Sequence, residues 1–294
     1  MLAVCCLAGV TAAAQNYRYG VVTQVLSEDH ASHVSDLGAG YVRLDFNWYE
    51  VEHERGRFNW AVVERRVDEA RSRDLRIFAT LAYTPAWAGP ARNELPNDLS
   101  DWASFVRACM RRYGSDVVYG VWNEPNLDRF LEDDDSGTKY RRLWQAAHEA
   151  RIAVNRRYSL AGPEISHHGI GDYYERVMDS MVGAGRMLAH DKVTVHWYPD
   201  GPGLRRYMER VRENAGGREI WLTETGVGTC DDQVQADHYE RVLREFARSG
   251  RGWWTKVFFY VLHNDDACSE AIVRPGWDPR PAFDRYREFI AANP

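Results

Sequence analysis

Short apolar runs alternate along the chain with longer segments in which apolar residues recur every three or four positions. The short runs have the length and the β-branched and aromatic content of buried strands, and the longer ones have the periodicity of amphipathic helices. The pattern predicts strands at 19–24, 41–46, 76–82, 117–122, 159–162, 192–197, 219–223 and 255–262. It predicts helices at 60–74, 99–113, 140–157, 173–188, 203–214, 233–248 and 281–291.

Regular alternation of strand and helix favours a parallel sheet, and eight repeats within 294 residues favour an α/β fold with a single (β/α)8 TIM barrel. A doubly wound open sheet is the alternative. It is disfavoured because the first strand is followed by VVTQVLSEDH, which contains no glycine-rich phosphate turn. No linker or low-complexity tract divides the chain, so we expect residues 15–294 to form one domain.

Residues 1–14 form an apolar run that closes on three alanines, as before a signal-peptidase site. We expect this segment to be a signal peptide and the protein to be secreted or periplasmic. No Lys or Arg precedes the run, which leaves open that the signal begins further upstream. The run is too short to span a bilayer, so we expect no integral membrane segment in the mature chain.

Three cysteines follow the predicted signal peptide. Cys109 lies on the apolar face of a predicted helix and is expected to be a small core residue. Cys230 and Cys268 lie in loops that would share one face of a barrel, where an exported protein could form a disulfide. The sequence alone leaves this pairing open.

Charge and composition narrow the range of partners. The formal net charge is −6 and the pI is near 5.9, without clusters of Lys and Arg, which argues against nucleic acid as a partner. Hydrophobic residues make up 45% of the chain, enough for a large core. The 11 Trp and 16 Tyr residues are a generous number, and aromatic faces are used in sugar-binding clefts, although we expect most of them to lie in the core.

Two of the apolar runs end abruptly on a glutamate. VVYGVWNEPN places Glu124 at the end of the fourth strand, and EIWLTETG places Glu224 at the end of the seventh. A carboxylate at the end of a buried strand is costly in free energy unless chemistry uses it. Because one acid/base and one nucleophilic carboxylate suffice to hydrolyse a glycosidic bond with retention, the pair predicts a retaining glycoside hydrolase.

Other polar and aromatic residues lie at the strand ends that would share the same rim of a barrel. They are Arg43, Asp45, Asn47, Trp48, Tyr83, Pro85, Trp87, Asn123, Glu164, His167, His168, His196, Tyr198, Tyr260, His263, Asn264 and Asp265. Burial is expected to raise the pKa of Glu124, as a general acid requires. Arg43 and Tyr198 are expected to keep Glu224 ionised, and Asn123 to bind the sugar 2-hydroxyl.

The segments Asn123-Glu124-Pro125, His196-Trp197-Tyr198 and Thr223-Glu224-Thr225-Gly226 resemble the clan A glycoside hydrolases, and YVRLDFNWYEVEHERGRFNW is similar to the corresponding stretch of glycoside hydrolase family 39. The resemblance implies a (β/α)8 catalytic domain, with Glu124 as acid/base and Glu224 as nucleophile. It also implies supporting roles for Arg43, Asn123, His196 and Tyr198.

Two features depart from that resemblance. The eighth strand, KVFFYVLHNDD, lacks the Trp that often forms the floor of the sugar subsite, so Tyr260 or His263 is expected to replace it. Trp48 and Tyr83 are further candidates for binding substrate. The chain is also shorter than family 39 β-xylosidases with an accessory β-sandwich, so exo-xylosidase activity is not inferred.

The predicted mechanism requires the two carboxyl groups to lie about 5–5.5 Å apart. We expect no metal and no cofactor, because the acidic run at 132–135 lacks the spacing of a calcium loop and adjacent histidines such as His167 and His168 rarely point the same way. We expect a monomer that acts on a carbohydrate. A carbohydrate-binding barrel without catalysis and a transglycosylase remain alternatives.

Overall fold

The computed structural model of the protein describes residues 15–132, 137–167, 191–250 and 252–294. Eight parallel strands close into a barrel in chain order, so the predicted (β/α)8 TIM barrel is confirmed. The strands are β1 Asn16–Val22, β2 Ala39–Asn47, β3 Arg76–Ala82, β4 Val117–Val121, β5 Leu160–Ile165, β6 Lys192–His196, β7 Glu219–Glu224 and β8 Trp254–Phe259. Each of them overlaps one of the eight predicted strands.

Helices connect the strands on the outside of the barrel. In the described residues they are α1 Glu28–Leu37, α2 Trp48–Val51, α3 Ala61–Ser72, α4 Leu99–Tyr113, α5 Thr138–Val154, α6 Leu204–Asn214, α7 Asp232–Arg248 and α8 Pro281–Ala292. A 3₁₀ turn spans Gly114–Asp116, and a two-stranded sheet pairs β9 Val273–Arg274 with β10 Asp278–Pro279. The predicted signal peptide at 1–14 and the predicted helix at 173–188 lie outside the described residues.

The helix boundaries follow from local sequence. The α4 helix begins where the carboxylate of Asp98 accepts a hydrogen bond from the backbone N–H of Ser100, and it ends before Gly114. Its apolar face includes Trp102, Phe105 and Cys109, all fully buried, so Cys109 is the small core residue that the sequence predicted. Among the described helices, none is long and apolar enough to cross a membrane.

A layer of large aromatic side chains fills the barrel interior near the amino-terminal ends of the strands. Tyr41, Phe78, Trp221 and Phe258 pack against one another inside the strands. A Cβ atom at Gly20 would lie 2.4 Å from the ring of Phe258, so only glycine leaves room for that ring. This layer closes the lower part of the barrel and confines polar chemistry to the ends.

Side chains alternate along each strand, which places charge above this aromatic layer. On β2, Tyr41 belongs to the inner layer, and Arg43 and Asp45 follow it at every second position toward the carboxyl end, whereas Val42 and Leu44 pack in the outer core. Arg43 is thereby carried into the upper barrel with 2% of its surface exposed.

Candidate active site

A cleft with a volume of about 750 Å³ opens at the carboxyl ends of the strands, where barrels of this class carry their sites. Polar and apolar groups contribute to its wall in similar measure. The lining residues are Val22, Gln24, Arg43, Asp45, Tyr83, Asn123, Glu124, Arg129, Phe130, Ser166, Tyr198, Pro199, Asp200, Glu224, Gly226, Val227, Gly228, Tyr260 and Glu270.

The structure brings Glu124 and Glu224 together at the base of this cleft. A carboxylate oxygen of each lies within 4.8 Å of the other and of a ring nitrogen of His196. The His196 Nδ1 atom is 3.1 Å from Glu124 Oε1 and 3.5 Å from Glu224 Oε2. One imidazole therefore holds both carboxylates, although they come from β4 and β7, which β5 and β6 separate in the barrel.

Glu124 leaves the end of β4 in a left-handed backbone conformation, with φ of 39°. Its backbone N–H donates to the carbonyl of Glu164 over 3.1 Å, and Arg129 approaches its Oε2 atom at 3.4 Å. Burial raises the pKa of Glu124, but the hydrogen bond and charge of His196 outweigh burial, so the net shift is downward. The expected rise from burial is therefore reversed by a charged neighbour that the sequence analysis did not pair with Glu124.

Glu224 contacts the two partners that the sequence analysis assigned to it. Arg43 Nη1 lies 2.8 Å from Glu224 Oε1, and the Tyr198 hydroxyl donates to Glu224 Oε2 over 2.7 Å. Burial raises the pKa of Glu224 and the charges of His196 and Arg43 lower it, with a net shift upward. Because Glu124 and Glu224 share His196, their protons are lost as those of one coupled pair.

His196 is the buried cation of the site. Burial lowers its pKa, but the charge of Glu224, the hydrogen bond to Glu124 and the Glu164 carboxylate 3.6 Å from Nε2 raise that pKa to about 9. The ring is therefore an imidazolium at neutral pH. Together with Arg43 it supplies two positive charges to a site that contains three buried glutamates.

Glu164 is the residue that the sequence analysis placed at a strand end but left without a role. Its carboxylate is fully buried, and its Oε2 atom accepts hydrogen bonds from Arg43 Nε at 2.9 Å and from the Thr80 hydroxyl at 3.1 Å. The sequence contained a signal, because LAGPEI places a glutamate one residue before the end of a third apolar run. This pattern is similar to the one that drew attention to Glu124 and Glu224.

The backbone of Tyr198 is held in place by His167. Its backbone N–H donates to His167 Nδ1 over 3.2 Å, and His167 Nε2 lies 3.2 Å from Asp200 Oδ1. This pattern places the proton on Nε2, facing the carboxylate. His167 therefore orders the loop after β6, and the neighbouring His168 lies outside the described residues.

Asn123, Tyr83 and Tyr260 line the cleft, as predicted for substrate-binding residues. The Asn123 side-chain carbonyl accepts a hydrogen bond from Arg43 Nη2 over 2.8 Å, which fixes the orientation of its amide. Tyr83 has a left-handed backbone conformation, with φ of 70°. Tyr260 directly follows β8, where the clan A resemblance led us to expect an aromatic floor.

Two predicted substrate-binding residues do not lie at the cleft. Trp48 is fully buried among Trp87, Trp102 and Phe105, because it opens the short helix α2, which folds back onto the outer core. His263 stacks on Trp277, with ring centroids 4.5 Å apart, on the outer side of the loop after β8. The structure corrects both placements, and of the two alternatives for the subsite floor only Tyr260 lines the cleft.

Cys230 and Cys268 form a disulfide that links the loop after β7 to the loop after β8. These loops carry Gly228 and Glu270 of the cleft wall, and the Glu270 side chain packs against Gly228. The covalent link therefore restrains one side of the cleft.

The donor atoms of Glu124, His196 and Glu224 are close enough together to surround a cation. In this arrangement the imidazolium and the Arg43 guanidinium already provide the positive charge that the carboxylates require. A metal ion would have to displace the proton of His196 and compete with Arg43, so the expectation of a site without metal is kept.

The chain is similar to several known glycosidases. A β-xylosidase from Geobacillus stearothermophilus is 26% identical over 178 residues, which are 50% of this chain and 35% of that protein. The chain therefore spans about a third of the length of this relative. Among solved structures, a monomeric β-xylosidase from Caulobacter crescentus matches 94% of this chain and 68% of its own, with a TM-score of 0.78 and 18% identity.

A family 39 glycoside hydrolase from Bacteroides cellulosilyticus matches 93% of this chain and 63% of its own, with a TM-score of 0.76 and 18% identity. At these identities the structural matches establish the fold. The family model described as the glycosyl hydrolase catalytic core matches residues 57–272, which contain Glu124, Glu164, His196 and Glu224. The chain belongs to the glycosyl hydrolase catalytic core family.

Proposed function

We propose that the protein hydrolyses β-glycosidic bonds with retention of anomeric configuration, using Glu224 as nucleophile and Glu124 as acid/base. The observation that carries this proposal is the approach of the two carboxylates to within 4.8 Å. Retaining glycosidases place these groups about 5–5.5 Å apart, whereas inverting ones leave about 6.5–9.5 Å for a water molecule. Because 4.8 Å is an upper limit between the nearest oxygens of Glu124 and Glu224, the two groups lie too close to hold that water between them, which supports retaining chemistry.

The contacts of each carboxylate fit its assigned role, although in the free enzyme the pKa of Glu224 is shifted upward and that of Glu124 downward. Glu224 faces a guanidinium and a phenol that donate to separate oxygens, which stabilises the anion that must attack the anomeric carbon. Glu124 lies on the imidazolium of His196, at the end of a strand that also carries Asn123 into the cleft.

The reaction then proceeds in two displacements. Glu224 forms a bond to the anomeric carbon while Glu124 transfers its proton to the departing glycosidic oxygen. In the second step Glu124 removes a proton from water, the water oxygen bonds to the anomeric carbon, and Glu224 leaves as a carboxylate. The reaction therefore consumes one water molecule for each glycosidic bond that is broken.

The relatives guide the choice of substrate. The matching proteins from Geobacillus stearothermophilus and Caulobacter crescentus are both β-xylosidases, so β-linked xylose is the first sugar to test. The described cleft wall offers Tyr83, Phe130, Tyr198 and Tyr260 as apolar faces for a pyranose ring. We further propose that the protein is exported, because the Cys230–Cys268 disulfide suits an oxidising compartment, and that it acts as a monomer.

A panel of 4-nitrophenyl β-D-xyloside, β-D-glucoside and β-D-mannoside tests this function, with proton NMR following the first sugar anomer released. We expect turnover of at least one glycoside and initial appearance of the β anomer. Initial release of the α anomer would show inversion. Binding of xylan, mannan or β-glucan without new reducing ends would support a carbohydrate-binding barrel instead, and chain rearrangement without net hydrolysis would support a transglycosylase.

A further inference from the structure

The third buried glutamate, Glu164, does not line the cleft, yet it is connected to both proposed catalytic carboxylates. Its Oε2 atom lies 2.8 Å from Arg43 Nη2 and 3.6 Å from His196 Nε2. Arg43 continues to Glu224, and His196 continues to Glu124. A single carboxylate oxygen is therefore one residue removed from the proposed nucleophile on one side and from the proposed acid/base on the other.

We propose that Glu164 is a positioning residue that holds Arg43 against Glu224 and His196 against Glu124. This inference rests on the proposed function and assigns a role within the same site. Glu164 itself does not touch the sugar, because it is fully buried beneath the cleft.

The backbone is built to turn this side chain inward. The pairing of β5 with β6 shifts between Pro163 and Ile165, so Glu164 is the extra residue of a β-bulge. It has φ of 50°, a left-handed conformation that is unfavourable for a residue with a side chain. Its N–H donates to the Thr194 hydroxyl over 3.0 Å, which satisfies the bulged backbone.

Neighbouring residues leave space for the carboxylate and bind it. A Cβ atom on Gly120 would lie 2.3 Å from Glu164 Oε1, so β4 needs a glycine beside it. The Thr80 hydroxyl lies 3.0 Å from Oε1 and 3.1 Å from Oε2. The bulged backbone, the space beside Gly120 and the Thr80 hydroxyl together hold the Glu164 carboxylate in one position. From that position it orients Arg43 and His196.

Charge also requires this third carboxylate. Arg43 and the imidazolium of His196 place two positive charges among buried groups, and burying a charge without a counter-charge is costly. During the reaction the charges on Glu124 and Glu224 change, whereas Glu164 lies buried beneath the cleft and forms no bond to sugar. Its carboxylate contacts Arg43 and faces His196, so it can hold both cations in place through both steps.

The test compares Glu164→Gln, which removes the charge while keeping the shape, with the wild type on 4-nitrophenyl and 2,4-dinitrophenyl β-glycosides. We expect kcat and kcat/KM to fall together by about a hundredfold on both substrates, because both carboxylates lose their alignment. The KM value should change less than about threefold, since no contact with sugar is lost. Glu164→Asp, which restores the charge, should recover part of the lost kcat.

A matched control is Glu52→Gln, the same change at another buried glutamate, whose oxygens accept from Trp48 and from the backbone of Gly56 outside the cleft. Its kcat should stay within about twofold of the wild type at equal folded fraction. If Glu164→Gln does not fold, Thr80→Val tests the same link, because it removes the hydroxyl and keeps the charge, and kcat should fall about tenfold.

A folded Glu164→Gln variant with wild-type kcat, or one in which only KM changes, would overturn the inference and leave the proposed function standing. Failure of the wild type to hydrolyse any glycoside of the panel would overturn the proposed function, and the positioning role with it. The wild-type rate in the same assay therefore separates the two failures.

Discussion

The two ends of strand β7 each carry a glutamate beside cations, and they differ in access to water. Glu219 at the start of the strand is half-buried and accepts from the Thr255 hydroxyl at 2.6 Å, with Lys192 Nζ 3.3 Å away. Burial raises its pKa, but hydrogen bonds from Thr255 and Trp221 and the charge of Lys192 leave the net shift downward. Glu224 at the end of the strand has a raised pKa despite two cations.

The difference comes from what surrounds each ion pair. The amino-terminal end of the barrel opens to a cavity of about 650 Å³ whose wall includes Lys192, Glu219 and Lys256, where water can screen charge. At the carboxyl end a second carboxylate, Glu124, adds its repulsion to burial and raises the pKa of Glu224. At the carboxyl end of β7, the proposed catalytic end, two carboxylates lie close together. At the amino-terminal end, ordinary ion pairs stabilise Glu219.

The largest difference in kcat should come from replacing, in separate variants, the glutamate at each end of β7. Glu224→Gln should lower kcat by roughly 10⁴-fold or more, because no nucleophile remains to form the covalent intermediate. Glu219→Gln makes the same chemical change at the other end of β7 and should leave kcat within about twofold. Initial rates on an active 4-nitrophenyl glycoside measure both. Comparable losses in both variants would show that the two ends do not differ in function.

Removal of the acid/base should have an effect that depends on the leaving group. Glu124→Gln should lower kcat/KM on 4-nitrophenyl glycosides by about 10²–10⁴-fold, since general acid catalysis contributes that much. On 2,4-dinitrophenyl glycosides, which need little protonation, the loss in kcat/KM should be much smaller. Equal losses on both leaving groups would remove the acid role from Glu124.

A smaller effect is expected from the phenol that binds the nucleophile. Tyr198→Phe removes the 2.7 Å hydrogen bond to Glu224 Oε2 and leaves the ring in place. Hydrogen bonds to charged groups contribute about 1.5–3 kcal/mol, so kcat/KM should fall about tenfold to a hundredfold. Tyr239→Phe, a buried tyrosine in the outer core, is the control, and the prediction fails if both variants have the same kcat/KM.

The smallest effect concerns the free energy of unfolding, whose dependence on pH should have opposite signs for a group at the carboxyl end of the barrel and for one at the amino-terminal end. The pKa of His196 is raised to about 9, so its stabilising charge is fully present below about 6.5 and is lost as pH rises through 9. Burial lowers the pKa of Lys256, at the amino-terminal end, to about 8, so its destabilising charge is relieved between pH 8 and about 10.5.

Urea unfolding at pH 6 to 10.5 measures both contributions. His196→Gln should remove a loss of unfolding free energy between pH 6.5 and 9, and Lys256→Met should remove a gain above pH 8. The same slope in the wild type and in both variants would show that neither group contributes to the pH dependence.

Much of the fold could be predicted because each barrel strand is a dense apolar run with a clear end. The helix α1 Glu28–Leu37 was missed, because its ten residues bury only Ala31, Val34 and Leu37 and its other positions are polar. Its boundaries were still visible in the sequence, since Ser27 caps the first turn and Gly38 adopts a left-handed conformation after the last. A short helix of this kind is recognised from its caps rather than from its periodicity.

The approach of Glu124 to Glu224 and the contacts of Glu224 could be predicted because strand ends in a barrel converge. The link through Glu164 could not, because a β-bulge decides whether that side chain points inward, and a bulge depends on the pairing of two strands. The environment of Glu124 was misjudged for a related reason. Burial can be predicted from an apolar strand, but the approach of His196 from β6, which is not adjacent to β4, depends on how the strands are arranged in space.

The central claim is that Glu224 forms a covalent bond to sugar. Treatment with a 2,4-dinitrophenyl 2-deoxy-2-fluoro-β-glycoside of a sugar that the enzyme hydrolyses should raise the intact mass by one fluoroglycosyl group. Peptide mapping should place that group on Glu224, and Glu224→Gln should acquire none. An active enzyme that gains no mass, or that carries the label on another residue, would contradict the assignment.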